Sequence, residues 1–355
     1  MRKLPLNCNV KLPKSADGLP FVSILISNWN GEEVTDRCIA SLLEFTHYPN
    51  NKFNIIVVDD GSTDNSVKFL RQKYLKRIDL IALENNVGFI KGNNAGIKYI
   101  IEEYDPHYIL LLNNDTQAMQ KDWLKKLVET AEQDEKIGMV GLKLMFPDGR
   151  IQWSGRRKES KPLFLIFQTI SAGFNPGVGK DEKEANYASF IGEANTASGA
   201  CMLVKTELFR KIGLLDERLA PMFGEDVEYS FRAWKSGYKV VYRGDVDIIH
   251  YESYTIEKFK KELQNKKTYW ALRNGMIISR TYFGFWKTLV FGLPIFAVAA
   301  LLDKKDKSAG LKIRNMKFRE GAVKNISLLF KAMHDGLLCR KCLPETQYEN
   351  SCSVQ

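Results

Sequence analysis

The predicted fold of this chain depends on the stretch Leu110-Leu111-Leu112-Asn113-Asn114-Asp115-Thr116. The apolar run Ile109–Leu112 passes directly into polar residues that end in one carboxylate. This is typical of a buried parallel strand whose carboxyl end carries ligands. A carboxylate held there can bind a hard divalent cation that shares its other ligands with water and substrate phosphates. On this stretch alone, a strand followed by an Asn-Asp turn is the simpler interpretation.

Three earlier segments have the same form, an apolar run followed by a polar tip. The apolar runs are Phe21–Ile26, Ile55–Val58 and Leu80–Leu83. Each tip is followed by apolar residues at helical spacing, such as Cys38 and Leu42 after the first. Repeated strand-tip-helix units predict an α/β protein with a mostly parallel sheet, helices on both faces and the polar tips along one edge. That edge is expected to bind a nucleotide-sized ligand.

The tip after the second strand is the most acidic. Asp59 and Asp60 are expected to be free to accept hydrogen bonds from a bound base or ribose, and Asp64 to cap the next helix. An acidic turn with an N-cap is the alternative. No G-x-G-x-x-G follows the first strand and no G-x-x-x-x-G-K-[ST] occurs in the sequence, so neither the dinucleotide fold nor the P-loop is supported. A metal held by Asp115 is then the candidate for neutralising phosphate charge.

Composition indicates an ordinary folded protein. The chain has 355 residues, 45% of them hydrophobic and 26% charged, enough for one large or two modest domains. The first residues contain no apolar run of signal-peptide length, and the six cysteines are scattered, so a reducing cytoplasm is expected. Cys339-Arg340-Lys341-Cys342 is interpreted as a chance spacing because no second pair accompanies it.

The formal charge of +10 is concentrated near the C-terminus. Residues 256–287 carry a net +6 and residues 303–341 a net +7, on either side of the uncharged stretch Thr288–Leu302. Its fifteen residues reach only about 22 Å as a helix, short of the roughly 30 Å hydrocarbon core, and Pro294 interrupts them. Attachment to a membrane surface is predicted; a buried hairpin and a true span are the alternatives. Nucleic-acid binding is not expected, since the centre is apolar.

Seven motifs in order resemble family 2 inverting glycosyltransferases with the GT-A fold, most closely their rhamnosyltransferase-like branch. The resemblance covers about Phe21 to Tyr254. Its donor half consists of the four strand tips. Its acceptor half consists of Ala197–Val204, which is expected to form a strand, Gly213–Glu217, and Glu225–Arg232, which is expected to open a helix. Arg273-Asn274 is similar to the family's segment after the catalytic region, with packing as the alternative role.

The resemblance implies a role for specific residues. The donor, a nucleoside-diphosphate sugar such as a UDP- or dTDP-sugar, would contact Asn28, Asn30, Asp59, Asp60, Asp64, Asn86, Gly88, Asn94, Asn113 and Asn114. The acceptor side would include Gly199, Glu225 and Arg232. Asp226 would be the general base, and Asp115 with His250 would bind Mg2+ or Mn2+. The family's metal motif often has two carboxylates as D-x-D, whereas this chain has Asn113-Asn114-Asp115.

Other interpretations of these residues remain open. Glu225 and Asp226 are by default partners of a helix dipole, and a lone histidine such as His250 is usually structural. A nucleotidyltransferase usually has a glycine-rich basic loop after the first strand, which Ser27–Gly31 does not supply. A catalytically silent nucleotide-binding or membrane scaffold is the third possibility.

The resemblance and the charge pattern together predict four regions and a location. Residues 1–20 are expected to form a lead-in and residues 21–116 a nucleotide-sugar-binding half. Residues 117–254 are expected to form an acceptor-binding catalytic half, and residues 255–355 a basic helical membrane-associating region. The acceptor is expected to be a lipid-linked glycan or a growing cell-surface polysaccharide. The enzyme would lie peripherally at the inner, cytoplasmic face of the cell membrane.

Overall fold

A computed structural model gives the fold. It describes residues 18–155, 157, 179–181, 186–251, 260–292, 302–303, 317–318 and 322–337. Most of the predicted lead-in, the greater part of Thr288–Leu302 and the Cys339–Cys342 pair lie outside these residues.

The donor half is built around four parallel strands. They are β1 (Val22–Asn28), β2 (Phe53–Asp59), β3 (Asp79–Ala82) and β4 (Tyr108–Asn113), in the spatial order β3-β2-β1-β4. Asn28 pairs with Asp59, and Ser27 with Asn113, so the three tips end at one level. The prediction that the polar tips share one edge of the sheet is confirmed.

Helices cover both faces of these strands. They are α1 (Glu32–Phe45), α2 (Ser66–Tyr74) and α3 (Phe89–Glu103). Cys38 and Leu42 of α1 pack in one core with the first two strands, whereas Ile97 of α3 packs in a second core on the opposite face. Gly96 allows the close approach of α3, because a Cβ there would lie 2.5 Å from Leu25 Cδ1.

The acceptor half extends the same sheet with strands of both directions. They are β5 (Thr116–Ala118), β6 (Ile137–Met145), β7 (Ile151–Trp153), β8 (Ile191–Glu193), β9 (Cys201–Lys205) and β10 (Lys239–His250). The order continues β4-β9-β6-β10-β5, with β7 beside β6 and β8 beside β10. β9 is antiparallel to β4 and β6, whereas β6 and β10 are parallel to each other.

The antiparallel direction of β9 determines which of its ends lies at the sheet edge where the polar tips end. Leu112 pairs with Cys201, so the beginning of β9 lies beside the end of β4. The predicted strand Ala197–Val204 is therefore too long at its start. Residues before Cys201 form a turn at the edge where the four polar tips end.

The remaining helices surround this half and follow it. They are α4 (Trp123–Ala131), α5 (Thr206–Ile212), α6 (Glu225–Lys235), α7 (Lys260–Phe283), α8 (Phe285–Lys287) and α9 (Ala322–Leu337). α9 packs along α7. A π-helical turn, Thr288–Gly292, follows α8. Among the described residues, no helix combines the length and the hydropathy that a membrane span requires.

Candidate functional site

Asn28 lies buried at the centre of the tip edge. Its Nδ2 donates to Asp59 Oδ2 at 2.7 Å, and its Oδ1 accepts from Thr35 Oγ1 at 2.7 Å and from Asn114 Nδ2 at 3.1 Å. Asn114 Nδ2 also donates to Thr35 Oγ1 at 2.9 Å. The side chains of Asn28 and Asn114 therefore hold the ends of three strands together.

The acidic tip is held by hydrogen bonds within the protein. Asp59 is buried, and its two oxygens accept from Asn28 Nδ2 and from the amide and hydroxyl of Ser62. Asn30, which has a φ of 49°, accepts from the amides of Thr63 and Asp64 at 2.8 and 3.2 Å. The expectation of a free Asp59 carboxylate is corrected, because these bonds shape the loop that follows β2.

Asp60 has the same kind of internal role. Its two carboxylate oxygens accept from the amides of Val87 and Gly88 at 2.7 and 2.9 Å, which fixes the third tip against the second. Its carboxylate is therefore not free either. Burial raises the pKa of Asp60, and these two amides oppose the rise. Gly88 has a φ of 90°, and a Cβ there would lie 2.7 Å from Pro221 Cβ.

Two predicted donor residues at these tips are exposed. Asn86 lies beside Val87 on the third tip. Asp64 Oδ1 accepts from Ser66 N at 3.0 Å, but the N-cap position of α2 belongs to Asn65. The predicted cap is thus displaced by one residue. Asn86 and Asp64 are thus the predicted donor residues whose side chains lie on the outer surface of the tips.

Asn94 connects the two halves from inside α3. Its Nδ2 donates to Leu215 O at 2.9 Å and its Oδ1 accepts from Leu215 N at 3.0 Å, while it is buried. The side-chain amide of Asn94 therefore pairs with the backbone N–H and C=O of Leu215, as a residue of a neighbouring β-strand would. The predicted donor contact by Asn94 is replaced by this internal connection.

Asn113, Asp115 and His250 meet where β4 and β10 end. His250 Nε2 lies 3.0 Å from Asp115 Oδ1 and 3.4 Å from Asn113 Nδ2. Asn113 Oδ1 is buried and has no hydrogen-bond partner among the residues that the structure describes. A carboxylate, an imidazole and an unsatisfied amide oxygen suit a divalent cation that takes its remaining ligands from a diphosphate and water.

The donor set on the protein is small. In the described part of the chain, no group of three or more His, Cys, Asp or Glu residues lies close enough together to hold a metal ion. Asp115 and His250 thus need Asn113 and external ligands to complete a coordination shell. This agrees with the single carboxylate of Asn113-Asn114-Asp115.

A short turn joins this group to the predicted base. Asn113 N donates to Ala200 O at 3.0 Å, and Gly199 N donates to Asp226 Oδ2 at 2.9 Å. The second Asp226 oxygen accepts from Val227 N at 2.8 Å. A Cβ on Gly199 would lie 3.1 Å from Glu225 Oε1, so glycine lets both carboxylates approach the turn.

Glu225 and Asp226 form an electrostatically coupled pair at the start of α6. Glu225 is buried, and its Oε2 has no hydrogen-bond partner among the described residues. Burial, with the charge of Asp226 as the second cause, raises the pKa of Glu225 to about 8. Burial also raises the pKa of Asp226, but the amides of Gly199 and Val227 favour its charged form. Of the two carboxyl groups, Asp226 is therefore the one that its surroundings favour as the charged form, and Glu225 the one favoured as the protonated form.

The loop before this pair is held by Asn274 of α7. Phe223 and Gly224 have φ values of 78° and 83°, a left-handed backbone that is costly for phenylalanine. Asn274 Nδ2 donates to the carbonyls of Leu219, Met222 and Phe223 at 2.7 to 2.9 Å. The sequence indicates Asn274 but not its contact with this loop, because only the tertiary fold brings α7 there.

Arg232 points away from the turn and into the protein. Its guanidinium donates to both oxygens of Glu228 at 3.1 and 2.7 Å and to Ile212 O at 2.8 Å. Tyr282 donates to Glu228 as well, at 2.7 Å. The predicted acceptor-side role of Arg232 is thus corrected to a packing role that fixes α6 against α5 and α7.

Gln152 is a residue that sequence analysis missed. It lies in β7, where the sequence predicts neither a strand nor a site residue. Its Oε1 lies 2.6 Å from His250 Nδ1, and its Nε2 donates to His250 O at 3.0 Å. A glutamine two residues after a glycine-containing turn has no feature in the local sequence that indicates a contact with a site residue.

Residues 23–213 match the family model described as glycosyl transferase family 2. This range includes all four tips and the turn before β9, and it ends before Glu225.

Two curated relatives show the same similarity. The O-antigen biosynthesis protein RfbC of Myxococcus xanthus is 28% identical over 256 residues, which cover 70% of this chain but 18% of RfbC, so the chain spans only a small part of that protein's length. The N-acetylglucosaminyl-diphospho-decaprenol L-rhamnosyltransferase of Mycobacterium tuberculosis is 26% identical over 251 residues, covering 67% of this chain and 78% of that enzyme.

A solved structure supports the fold. The mannosyltransferase PcManGT from Pyrobaculum calidifontis, in complex with GDP-Man and Mn2+, superimposes with a TM-score of 0.51 at 13% sequence identity. The superposition covers 91% of this chain and 77% of that one. At this identity the likeness concerns the α/β architecture of GT-A type and not the ligands.

Proposed function

Because the chain belongs to glycosyl transferase family 2, and is therefore a glycosyltransferase, we propose that it moves a sugar from a nucleoside-diphosphate sugar to a hydroxyl group with inversion at the anomeric carbon. Relatives of the chain belong to O-antigen and other glycan biosynthesis. The donor would be a UDP- or dTDP-sugar. The acceptor would be a lipid-linked glycan or a precursor of a cell-surface polysaccharide.

One observation carries this proposal. The turn Ser198–Ala200 contacts Asn113 on one side and Asp226 on the other. It thereby connects the group proposed to hold the donor diphosphate to the half-buried carboxylate of Asp226, whose charged form two backbone amides favour. An inverting transfer needs these two parts, a site that stabilises the leaving diphosphate and a base for the incoming hydroxyl.

Asp226 would accept the proton of the acceptor hydroxyl as that oxygen attacks the sugar. Burial raises its pKa and so makes it a stronger base than a surface aspartate. Glu225, protonated beside it, can donate a hydrogen bond without adding a second negative charge. Gly199 would lie beside the acceptor, because a glycine places no side chain between the turn and the two carboxyl groups.

Asp115 and His250, with Asn113, would hold Mg2+ or Mn2+. When bound, this cation would neutralise the negative charge that develops on the departing diphosphate. Asn86 and Asp64, which are exposed, would contact the base or ribose. The buried Asn28, Asn30, Asp59, Asp60, Asn94 and Asn114 would act indirectly, by fixing the loops whose backbone faces the donor. We propose residues 21–116 as the donor half and residues 117–254 as the acceptor half.

The test is a panel of nucleotide sugars with the unmutated protein. At 100 times its dissociation constant, the correct donor should add about 2.7 kcal/mol to the free energy of unfolding. The same donor should release its nucleoside diphosphate when acceptor is added. Release of pyrophosphate from a nucleoside triphosphate and a sugar phosphate would indicate a nucleotidyltransferase instead. Binding of nucleotide without any turnover would indicate a scaffold.

Contact with a membrane surface is the second part of the proposal. Phe285, Trp286, Lys287 and Val290 are exposed where α7 ends, and 72% of Trp286 is accessible. An exposed tryptophan beside lysine suits the boundary between lipid headgroups and acyl chains. Residues 255–355 would lie peripherally at the inner face of the membrane, where a lipid-linked acceptor is found.

We expect the double substitution Phe285→Ser and Trp286→Ser to weaken binding to anionic vesicles by about 10-fold or more, because it removes two aromatic side chains from the interface. Vesicle co-sedimentation measures this. Leu75→Ser is the matched control, since Leu75 is equally exposed, at 72%, but lies in the donor half. Unchanged binding of the double variant would exclude this patch as the contact.

A further inference from the structure

Two contacts between Gln152 and His250 fix which atoms face each other. Gln152 Nε2 donates to His250 O at 3.0 Å, and a backbone carbonyl can only accept. The amide group of Gln152 therefore has one possible orientation, with Oε1 toward the ring. The distance from Oε1 to His250 Nδ1 is 2.6 Å.

The orientation of the amide assigns the hydrogen on the ring. Oε1 of glutamine is an acceptor only, so a hydrogen bond to Nδ1 requires that Nδ1 carry the hydrogen. In the neutral imidazole the lone pair is then on Nε2. A histidine that binds a metal through Nε2 needs this tautomer.

The lone pair on Nε2 faces the other members of the group. Asp115 Oδ1 is 3.0 Å from Nε2, and Asn113 Nδ2 is 3.4 Å away. A lone pair and a carboxylate oxygen repel each other at that distance unless a positive charge lies at or between them. With a neutral ring, the arrangement favours a cation that both atoms contact.

The sheet holds Gln152 in register with His250. β7 pairs with β6 at Leu144 and Met145, and β6 pairs with β10 up to Ile249, next to His250. Gln152 and His250 are therefore carried by neighbouring positions of one sheet and not by a mobile loop. Such rigid support is what a group that orients a ligand requires.

We propose that Gln152 is a positioning residue, which holds His250 as the tautomer whose Nε2 binds the divalent cation together with Asp115. This inference rests on the proposed function, because it takes the Asn113–Asp115–His250 group as the cation site. Gln152 itself contacts neither the cation nor the substrate. Its effect on transfer would act through His250.

The experiment measures the ring and the cation separately. Nitrogen-15 spectra of the full chain without metal or donor report the tautomer of each of the four histidines, and the His250→Asn variant identifies the His250 signals. Titration with Mn2+ alone, followed by calorimetry, gives the cation affinity. Neither measurement depends on catalysis.

Gln152→Met and Gln152→Glu separate positioning from packing. Methionine keeps the size of glutamine but cannot accept from Nδ1, so the Nδ1–H tautomer should lose its dominance and Mn2+ affinity should fall by about 10-fold or more. Both variants lose the hydrogen bond from Gln152 Nε2 to His250 O, but glutamate still accepts from Nδ1, so it should keep the Nδ1–H tautomer and lose clearly less Mn2+ affinity than methionine. Gln120→Met is the matched control, since Gln120 binds Asp247 on the same strand as His250.

The results that overturn the proposal are definite. A dominant Nε2–H tautomer in the unmutated protein would do so, as would a Gln152→Met variant with an unchanged tautomer and unchanged Mn2+ affinity. Equal losses in the Met and Glu variants would also overturn it, because packing alone would then explain them. If Mn2+ does not perturb the His250 signals of the unmutated protein, the cation site of the proposed function fails, and this inference fails with it. A confirmed cation site with no effect of Gln152→Met rejects the inference alone.

Discussion

Asp226→Asn should lower the rate of sugar transfer by roughly 100-fold or more, which is the low end of the usual contribution of a general base. The amide cannot accept the proton of the acceptor hydroxyl, while its volume hardly differs from that of the acid. Donor binding should change little, because the contact of Asp226 with the donor side runs through the turn at Gly199. The measurement is turnover at saturating donor together with donor affinity.

The same substitution also has a structural cost that must be measured. Both Asp226 oxygens accept from backbone amides, Gly199 N and Val227 N, and an asparagine has only one oxygen. One amide therefore loses its acceptor, at a cost of about 1 to 3 kcal/mol in the free energy of unfolding. A melting curve of the same preparation shows whether the protein stays folded at the assay temperature.

Asp122→Asn is the matched control for this experiment. Asp122 is exposed and pairs with Lys126 on α4, so the same chemical change should leave turnover and stability nearly unaltered. Near-normal turnover of the Asp226→Asn variant would exclude Asp226 as the base. Glu225 would then be the next residue to test.

Asp115→Ala should weaken donor binding in Mn2+ by about 10-fold or more and make that binding independent of the metal, because it removes the carboxylate of the proposed cation site. The fold should tolerate the change, since the backbone carbonyl of Asp115 still accepts from Tyr251 N. Donor affinity is measured by calorimetry in Mn2+ and in EDTA, for the variant and the unmutated protein.

The measurement in EDTA tests whether donor binding depends on a metal at all. If the unmutated protein binds its donor equally well in EDTA and in Mn2+, Asp115 has no metal to hold and its proposed role is wrong. Asp122→Ala serves as the control, because it removes an exposed carboxylate far from the strand tips. A loss of affinity in the control as well would indicate a general electrostatic effect.

The local sequence contained enough information to predict the first half of the sheet. Continuous apolar runs such as Ile55–Val58 and Ile109–Leu112 do not occur on solvated strands, and helical spacing after each run leaves a parallel connection as the simplest topology. The direction of β9 could not be predicted in this way. An apolar run carries no information about which end lies at which edge of the sheet.

The tip residues could be located from the sequence, but most of their contacts could not. Asn28, Asp59 and Asn114 occur at strand ends, where ligands bind, and the structure shows that they bind each other. A polar residue at a tip satisfies its hydrogen bonds with whichever group the fold brings nearest, and that group is distant in sequence. The same reason hides Gln152 and the loop contact of Asn274.

The segment Phe223–Asp226 has a consequence for attempts to make this enzyme more heat-resistant. It contains a phenylalanine with a positive φ and a buried carboxyl oxygen without a described partner, and both lower the stability of the folded state. A screen that scores only melting temperature will favour replacements at Phe223 and Glu225, next to the proposed base. Variants selected in this way would be more stable but less active, so a useful screen must select for turnover at the same time.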